Sequence, residues 1–465
     1  MIRYETNSKK VLPGQTFIAI KGNTVDGHDY IKEAIKNGAS LIITEKPVKY
    51  SVPSIKVPST KEYLKNVLVN NYAHQFKDMK IIGVTGTNGK TTTCYLTYQF
   101  LNKLGYKAAY IGTIGFYLDG FKKPLPNTTP DILNIYNLLM EAKANNCEYV
   151  VMEVSSHSLD EERIKGLKLD IAAFTNLTQD HLDYHKTMDN YLKSKLKIID
   201  YIKSDGSLIV NNDDFYAKEF INRFNNVTTI GYKNNSDFRI INDRCSQTDT
   251  LINFNKDNQK YYVTTNLISK FNVYNYLTCF AILNKLGIDE KTIINETKDI
   301  YPPKGRCEII KAGKGICVID YAHTPDAVLK VIKCFNELKE NQIITIMGCG
   351  GDRDPIKRPI IGDICCKLSN HVIFTNDNPR TEDPKKIMND ITTNLKYENF
   401  EIIYDRAEAI YQGINMMEEN DILLILGKGH ENYQIIGHEK IHYDDHEVVE
   451  KWLKENYPLQ KKYIN

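Results

Sequence analysis

A glycine-rich turn between an apolar strand and a helix restricts the possible folds of this chain more than any other feature. The turn reads Gly83-Val84-Thr85-Gly86-Thr87-Asn88-Gly89-Lys90-Thr91-Thr92. Glycines let backbone N–H groups crowd a polyphosphate, and the helix N-terminus adds positive potential. Val84 stands where the strict G-x-x-x-x-G-K-[ST] pattern has its first glycine. We therefore predict a nucleotide-phosphate site, with Lys90 on the phosphates and Thr91 on Mg²⁺; the alternative is an ordinary strand-to-helix turn.

Short apolar runs alternate with helical segments along the chain and predict an α/β protein. A length of 465 residues corresponds to about three domains. We place a small α/β domain at 1–79, a central parallel-sheet domain at 80–301 and a C-terminal Rossmann-like domain at 302–465. A plausible linker, Pro302–Gly305, begins the third domain.

The predicted elements follow hydrophobic periodicity. The first domain has short buried strands at 17–20, 39–44 and 54–57 and a helix at 30–37. The second has strands at 80–84, 107–111, 148–152 and 170–174, helices at 90–104 and 272–286, and a β-rich stretch at 226–265. The third has strands at 316–320, 342–347, 371–375, 401–404 and 421–426, with helices at 325–340, 358–368, 384–395 and 406–418.

Composition excludes several classes of protein. Apolar residues make up 42% and charged residues 25%, which is ordinary for a globular chain and excludes a disordered one. The 60 basic and 58 acidic residues nearly balance, so we expect no nucleic acid partner. No apolar run approaches the roughly 18 residues of a membrane helix, and the N-terminus lacks a secretory pattern, so we expect no stable membrane insertion. The ten cysteines form no C-x-x-C pair, and we expect reduced thiols in a cytoplasmic protein.

Ligands bind at the carboxyl ends of strands in parallel sheets. Glu153 follows the buried strand at 149–152, where a carboxylate can hold Mg²⁺; the alternative is a surface carboxylate that caps the next turn. In the third domain the polar segments at strand ends are Asp320, Gly348–Arg353, Asn376–Arg380 and Gly427–Glu431.

These motifs, taken in order, resemble those of the Mur ligases, which build the peptide stem of the cell wall. The resemblance begins at the phosphate turn and covers nearly the whole chain. The further motifs are Asn127-Thr128-Thr129-Pro130, Glu153-Val154-Ser155-Ser156-His157, Asp180-His181-Leu182-Asp183-Tyr184-His185, Phe271-Asn272-Val273-Tyr274-Asn275, Gly305-Arg306, Asp320-Tyr321-Ala322-His323, Gly348-Cys349-Gly350-Gly351-Asp352-Arg353, Asp377-Asn378-Pro379-Arg380 and Gly427-Lys428-Gly429-His430-Glu431. The combination is typical of the branch that adds the third residue of the stem.

The resemblance implies an ATP-dependent, ADP-forming amide ligase. ATP would phosphorylate the terminal carboxylate of UDP-MurNAc-L-Ala-D-Glu, and the amine of meso-diaminopimelate would attack the acyl phosphate. Negative charge builds up in such a transfer, so the site needs cations and N–H donors rather than a nucleophilic side chain.

The resemblance also assigns residues to ATP, metal and catalysis. ATP would be bound by Gly86, Thr87, Asn88, Gly89, Lys90, Thr91, Thr92 and Asn275. The Mg²⁺ contacts would be Thr91, Glu153 and His181, and the catalytic set Lys90, Lys195, His181, Arg306 and Asp320. Lys195 matches a lysine that is carbamylated in the family; by its sequence alone it could equally lie on a solvated helix face between Lys193 and Lys197.

Two further sets would bind the other substrates. The UDP-MurNAc-dipeptide set is Thr6, Ser8, Asn23, Thr24, Val25, Asn127, Thr128, Thr129, Ser155, Glu161 and Arg163, although relatives often have Gln at the position of Glu161. The meso-diaminopimelate set is Arg353, Asp377, Asn378, Pro379, Arg380, Gly427 and Glu431. A guanidinium recognises the extra carboxylate of meso-diaminopimelate, which lysine lacks.

Three alternatives remain open at the level of sequence. The same reaction could use L-lysine or another diamino acid. A related Mur or folylpolyglutamate-type ligase would share the ATP residues, and a non-catalytic ATP-binding scaffold would share the fold. We expect a monomer that closes its domains over the substrates.

Overall fold

The computed structural model describes residues 2–22 and 25–456. Strands and helices alternate along the chain. The α-helices are Ile31–Lys36, Thr60–Tyr72, Lys90–Lys103, Ile132–Ala144, Ser156–Asp160, Leu182–His185, Met188–Leu196, Ala217–Ile221, Lys270–Lys285, Glu290–Glu296, Pro325–Leu338, Lys357–Leu368, Pro384–Thr392, Arg406–Met416 and Asp445–Asn456. The contacts divide the chain into two compact units, one of residues 1–230 and 278–288 and the other of 231–277 and 289–465.

A four-stranded parallel sheet opens the first unit. Its strands, in spatial order, are Tyr4–Glu5, Thr16–Ile18, Leu41–Thr44 and Ser54–Lys56. The prediction of a buried strand at 54–57 is wrong in one respect, because all three residues of Ser54–Lys56 are exposed. This strand lies at the edge of the sheet, so fewer neighbours cover it than cover Thr16–Ile18 and Leu41–Thr44.

A larger sheet in the same unit carries the phosphate turn. In spatial order its strands are Val227–Gly231, Ile202–Asn211, Leu169–Phe174, Lys80–Thr85, Tyr149–Glu153, Ala108–Gly112, Gly115–Leu118 and Phe121–Lys123. The pairings are parallel from Val227–Gly231 as far as Ala108–Gly112 and antiparallel beyond it. Lys80–Thr85 is therefore a central strand whose carboxyl end lies between those of Leu169–Phe174 and Tyr149–Glu153.

One hydrophobic core joins the two sheets of the first unit. Ile18 and Ile43 of the small sheet belong to the same buried cluster as Val150 and Phe174 of the large one. The helix Thr60–Tyr72, which is not among the predicted elements, buries Leu64 and Leu68 on the side that faces this cluster. The predicted boundary at residue 79 is thus not a break in packing, and the three domain ranges stay a prediction.

The second unit contains an antiparallel meander and a second α/β layer. The meander is Phe238–Cys245, Thr250–Lys256 and Gln259–Thr265, within the stretch predicted to be β-rich. The six-stranded sheet has the order Glu308–Ala312, Gly315–Asp320, Ile422–Leu426, Ile343–Met347, His371–Phe374 and Phe400–Ile402. Only its first pairing is antiparallel, and a hairpin of Tyr433–Ile436 and Glu439–His442 follows.

Apolar clusters cover both faces of the six-stranded sheet. Val318 and Leu424 point into one cluster, and Ile319 and Ile425 point into the other, as the two-residue period of a strand requires. The predicted α/β fold class is confirmed, and the predicted helices of this region begin and end within a few residues of those observed. No helix in the described part of the chain is long and apolar enough to cross a membrane.

Candidate active site

Residues from the neighbouring strand end hold the phosphate turn in place. Asn88 N donates to Asn176 Oδ1 at 2.9 Å, and the Thr175 hydroxyl donates to Asn88 O at 2.6 Å. Gly89 begins the helix with φ +85°, a left-handed conformation that suits glycine. Lys90 Nζ donates to the carbonyls of Gly86 and Thr87 at 2.9 and 2.8 Å. The ammonium thus lies over the turn, where phosphate oxygens would replace these carbonyls as its acceptors.

Gly86 leaves no room for a side chain, which gives a direct test of the turn. A Cβ at this position would overlap the Thr175 hydroxyl. We expect Gly86→Ala to weaken ATP binding by about tenfold or more, because the turn must shift to accommodate the methyl group. Isothermal titration calorimetry with ATP would measure the change.

Gly105→Ala is the matched control for Gly86→Ala. Gly105 also has a left-handed φ of +86°, but a Cβ there would meet nothing within 4 Å. This control should lose stability by about 1–2 kcal/mol while its affinity for ATP stays as in the wild type. Equal ATP affinity in Gly86→Ala and wild type would show that the turn does not bind the nucleotide.

Glu153 is fully buried at the end of Tyr149–Glu153 and is not a surface carboxylate. Its Oε2 accepts from Thr91 Oγ1 at 3.0 Å and from Thr113 Oγ1 at 3.1 Å. Its Oε1 accepts from the Tyr110 hydroxyl at 2.5 Å and from Thr113 N at 2.8 Å. Neutral donors therefore stabilise the carboxylate, and its negative charge remains available to a cation beside Thr91.

Lys195 is the most informative residue of the first unit. It is 1% exposed on the helix Met188–Leu196, whereas Lys193 on the same helix is exposed and pairs with Asp189. Its Nζ donates to Gly86 O at 2.7 Å and lies 4.5 Å from the ring centroid of Tyr191. Burial lowers the pKa of this amine well below its usual value, and the nearby Lys90 lowers it further. The reading of Lys195 as part of a solvated helix face is therefore wrong.

His181 has a left-handed backbone with φ +53° at the start of Leu182–His185. Its Nε2 lies 3.4 Å from Asp180 Oδ2, and its ring centroid is 5.0 Å from that of His157. Desolvation is the main cause that lowers the pKa of His181. The segment is fixed by His185, whose Nε2 lies 2.8 Å from Ser156 Oγ.

The predicted dipeptide residues of the central region lie together. Thr129 Oγ1 donates to Glu153 O at 2.8 Å and accepts from Ser155 N at 3.1 Å. Arg163 Nη1 donates to Thr129 O at 2.6 Å. The Arg163 side chain also pairs with Glu161 at 2.9 Å, so Glu161 contacts a cation of the protein itself.

Two other members of this set have more indirect positions. Thr128 Oγ1 lies 3.0 Å from Thr113 Oγ1, which connects it to the Glu153 pocket. Asn127 is exposed. The segment 127–129 thus runs from the buried carboxylate outwards to the surface.

The members of the predicted UDP-MurNAc-dipeptide set at residues 6–25 belong to the region of the small sheet. Ser8 is buried, and its hydroxyl donates to Glu33 Oε2 at 2.5 Å. Thr6 N donates to Glu5 Oε1 at 2.8 Å, and Val25 is exposed. Asn23 and Thr24 lie outside the described residues.

In the second unit, Asp320 and Arg306 are near neighbours. Asp320 lies at the end of its strand and accepts from Cys307 N and Ala322 N, both at 2.8 Å. Burial raises the pKa of Asp320, and Arg306 opposes that rise. The Arg306 guanidinium lies 4.7 Å from the ring centroid of Tyr321. Asn275 is buried on its helix and donates to Asn272 Oδ1 at 2.9 Å.

The strand ends of the six-stranded sheet bring together most of the predicted amino-acid residues. Asn378 Nδ2 donates to Glu431 Oε2 at 2.9 Å, and Asn378 Oδ1 accepts from Ile435 N at 2.9 Å. Asp377 is buried beside Gly427, where a Cβ would come to 3.0 Å from Asp377 Oδ2. Anionic and amide oxygens at this edge suit an ammonium group.

The two predicted arginines lie on adjacent loops of the same sheet. Arg380 Nη1 donates to Gly351 O at 2.7 Å, next to the turn that carries Arg353. Arg353 is exposed, and its Nη1 donates to Asp352 O at 3.2 Å. Gly351 N also donates to Asn378 O at 2.9 Å, so the loop of Arg353 lies against the segment of Asn378 and Arg380. Guanidinium groups on these loops suit carboxylates.

Sequence reasoning missed several side chains that complete these pockets. Tyr110 on the neighbouring strand Ala108–Gly112 and Thr113 just after that strand bind Glu153, and no motif marks them. Lys428 is fully buried, and its Nζ lies 3.3 Å from both Asn378 Oδ1 and Glu431 Oε2. The Gly-Lys-Gly sequence at a strand end was a usable signal for Lys428, since a lysine between two glycines can reach a buried anion.

A phosphate turn on a parallel sheet, with a buried carboxylate beside its threonine, defines a nucleotide-dependent α/β protein. Three family models match the chain: the Mur ligase family catalytic domain at residues 4–78, the Mur ligase middle domain at 84–283 and the glutamate ligase domain of Mur ligases at 305–429. The chain belongs to the Mur ligase family.

Curated relatives of nearly the same length share more than a third of their residues with this chain. It is 38% identical to the UDP-N-acetylmuramoyl-L-alanyl-D-glutamate–2,6-diaminopimelate ligase of Clostridium botulinum, covering 97% of this chain and 95% of that one. Identity to the ligase of the same name from Fusobacterium nucleatum is 41%, covering 96% and 93%. A solved structure of a ligase with this name gives a TM-score of 0.70 at 30% identity, covering 97% and 94%.

Proposed function

We propose that this chain joins meso-2,6-diaminopimelate to UDP-MurNAc-L-Ala-D-Glu, with cleavage of ATP to ADP and phosphate, as a step of peptidoglycan precursor synthesis. The observation that carries the proposal is its full-length similarity to ligases of that name. The site supports it chemically. The edge of the larger sheet in the first unit that carries the phosphate turn offers cations and N–H donors to a polyphosphate. The six-stranded sheet offers both anionic and cationic groups to an amino acid.

ATP would bind to the phosphate turn in the first step. The N-terminal end of the helix Lys90–Lys103 and the ammonium of Lys90 would neutralise its phosphates, and the γ-phosphoryl would pass to the dipeptide carboxylate. The acyl phosphate then has a good leaving group, and the diaminopimelate amine displaces it to form the amide. Arg306 and Asp320 would be further members of the catalytic set.

The donor set near Thr91 fits Mg²⁺. A threonine hydroxyl and a buried carboxylate 3.0 Å apart are oxygen ligands, and Mg²⁺ in phosphoryl-transfer sites takes one or two carboxylates together with substrate phosphates. Thr91 and Glu153 would hold the ion, with His181 as a further contact. The ion would supply charge neutralisation at the transferring phosphoryl group.

Lys195 would act as its carbamate. A neutral amine attacks CO₂ and releases a proton, which gives an N-carboxylate. The lowered pKa of the Lys195 amine supports this reaction, because it increases the neutral fraction near neutral pH. The carbamate would then place an anion beside the phosphate turn, next to Lys90 and the bound metal.

The dipeptide end of the sugar nucleotide would bind along Asn127, Thr128, Thr129, Ser155 and Arg163, with its uracil end on the small sheet near Thr6, Ser8 and Val25. Meso-diaminopimelate would place its ammonium groups at Asp377, Asn378 and Glu431 and its carboxylates at Arg353 and Arg380, with Pro379 and Gly427 shaping the pocket. We expect the chain to work as a monomer in the cytoplasm, where ATP is supplied.

ADP release by the full-length protein tests the proposal. We expect ADP only when ATP, Mg²⁺, UDP-MurNAc-L-Ala-D-Glu and meso-diaminopimelate are all present, and each omission is a control. L-lysine and L-ornithine are assayed in parallel. A preference for L-lysine would overturn the amino-acid assignment. ADP release without the sugar nucleotide would overturn the reaction itself.

A further inference from the structure

A buried ion network lies behind the two arginine-bearing loops of the six-stranded sheet. Arg358, on the helix Lys357–Leu368, is fully buried. Its guanidinium donates to both carboxylate oxygens of Glu382 at 2.9 Å and to Asp390 Oδ2 at 2.8 Å. It also donates to Gly350 O at 3.1 Å, on the turn that carries Arg353.

Glu382 connects this guanidinium to the same turn. Its Oε1 accepts from Asp352 N at 2.5 Å, and Arg358 lowers the pKa of Glu382 to about 2. The Asp352 carboxylate in turn accepts from Thr381 Oγ1 at 2.9 Å and from Thr381 N at 3.2 Å. Each loop therefore binds the other through a residue next to its arginine.

The backbone of both loops requires such support. Asp352 and Arg380 have φ values of +50° and +51°, which L-residues with a side chain rarely adopt. Gly351 N donates to Asn378 O at 2.9 Å, and a Cβ on Gly351 would overlap Pro379 O. The loops are thus closely packed in a strained conformation that the network has to hold.

We propose that Glu382, held by Arg358, is a positioning residue for recognition of the amino-acid substrate. It fixes the turn of Arg353 against the turn of Arg380, so that both guanidinium groups face one substrate. Neither Glu382 nor Arg358 touches the substrate in this proposal. The inference rests on the proposed function, since it takes Arg353 and Arg380 as the groups that bind the carboxylates of meso-diaminopimelate.

Two substitutions test the network. Glu382→Gln keeps the shape of the side chain but removes the charge that holds Arg358. Thr381→Val removes the hydroxyl that binds Asp352 and leaves the buried ion pairs intact. It therefore tests the contact between the two loops even if Glu382→Gln does not fold. We expect both to raise the KM for meso-diaminopimelate by about tenfold, with the KM values for ATP and UDP-MurNAc-L-Ala-D-Glu unchanged.

Asp390→Asn is the matched control. Asp390 binds the same guanidinium at 2.8 Å but contacts neither arginine-bearing turn in the hydrogen bonds described. It should lower the melting temperature as much as Glu382→Gln does while leaving the KM for meso-diaminopimelate as in the wild type. A merely structural role for Glu382 predicts equal kinetic effects in the two variants.

The outcomes separate this inference from the proposed function. If Arg380→Ala raises the KM for meso-diaminopimelate and neither Glu382→Gln nor Thr381→Val does, the positioning role is wrong and the amino-acid site stands. If Arg380→Ala itself leaves that KM unchanged, the assigned amino-acid site fails and the positioning role fails with it.

Discussion

Replacement of Lys195 by alanine is expected to lower kcat by about a hundredfold or more, the effect of removing one preorganised charge from a phosphoryl-transfer site. The reason lies in its position. The amine is buried and donates to Gly86 O, in the turn that would bind the phosphates. Among the described residues of the helix Met188–Leu196, no other side chain donates a hydrogen bond to this carbonyl. Steady-state ADP release with all substrates saturating would measure the loss.

Lys193→Ala is the control for this substitution. Lys193 lies two residues away on the same helix, is exposed, and pairs only with Asp189 in the contacts described, so its removal should leave kcat unchanged. A short carboxylic acid added to Lys195→Ala should restore part of the activity, because it can supply the missing anion. Wild-type kcat in Lys195→Ala would end the carbamate proposal.

Labelling separates the carbamate from an unmodified lysine. Wild-type protein equilibrated with carbon-13 bicarbonate should show a carbamate carbon resonance that Lys195→Ala lacks and Lys193→Ala retains. If the resonance is absent from the wild type while Lys195→Ala is inactive, the residue acts as an amine or an ammonium rather than as an anion.

The burial of Lys195, unlike its exact contacts, could be predicted from the sequence. Three lysines alternate with other residues at 193, 195 and 197, and composition does not distinguish them. Helical periodicity does, because Tyr191 and Lys195 are four residues apart and share a face with the buried Leu192 and Leu196. The helix Thr60–Tyr72 was not predicted, although its sequence contains two signals for it. Ser59 caps its N-terminus, and Leu64 and Leu68 share its buried face.

Most of the fold was predictable because parallel sheets leave strong signals. Strands such as Ile422–Leu426 are covered on both faces, so they read as continuous apolar runs between amphipathic helices. The phosphate turn and Glu153 were predictable because each directly follows or ends such a strand. The strand Ser54–Lys56 is exposed, so the apolar residues at 54–57 wrongly indicated a buried strand.

The contacts that complete the pockets were not predictable, because they join residues far apart in the chain. Glu153 binds Tyr110 across 43 positions, and Arg358 binds Glu382 across 24. Asn378 Oδ1 accepts from Ile435 N of the strand Tyr433–Ile436, which was not predicted. Contacts of this kind depend on which elements the fold places side by side, and no local pattern in the sequence specifies that.

Replacement of Arg380 by alanine is expected to lower kcat/KM for meso-diaminopimelate by about 10- to 100-fold, as the loss of a charge-assisted hydrogen bond implies. The kcat/KM for L-lysine should stay the same or rise, because lysine has no second carboxylate to bind the guanidinium. The ratio of kcat/KM for meso-diaminopimelate to kcat/KM for L-lysine therefore falls. Competition between them in one reaction, with both products quantified, would measure that preference directly.

Two further variants make the Arg380 result interpretable. Arg380→Gly also removes the guanidinium but accepts the φ of +51° without strain, so a loss shared by Ala and Gly variants cannot come from the backbone. Arg223→Ala removes an exposed arginine that pairs with Glu219 and should change neither kcat/KM. If the preference for meso-diaminopimelate survives in both Arg380 variants, another residue must select the amino acid.

Lys428 would then be the next cation to replace. It is fully buried, and its ammonium group lies 3.3 Å from both Asn378 Oδ1 and Glu431 Oε2. No other ammonium group among the described residues contacts both of these side chains in the hydrogen bonds described.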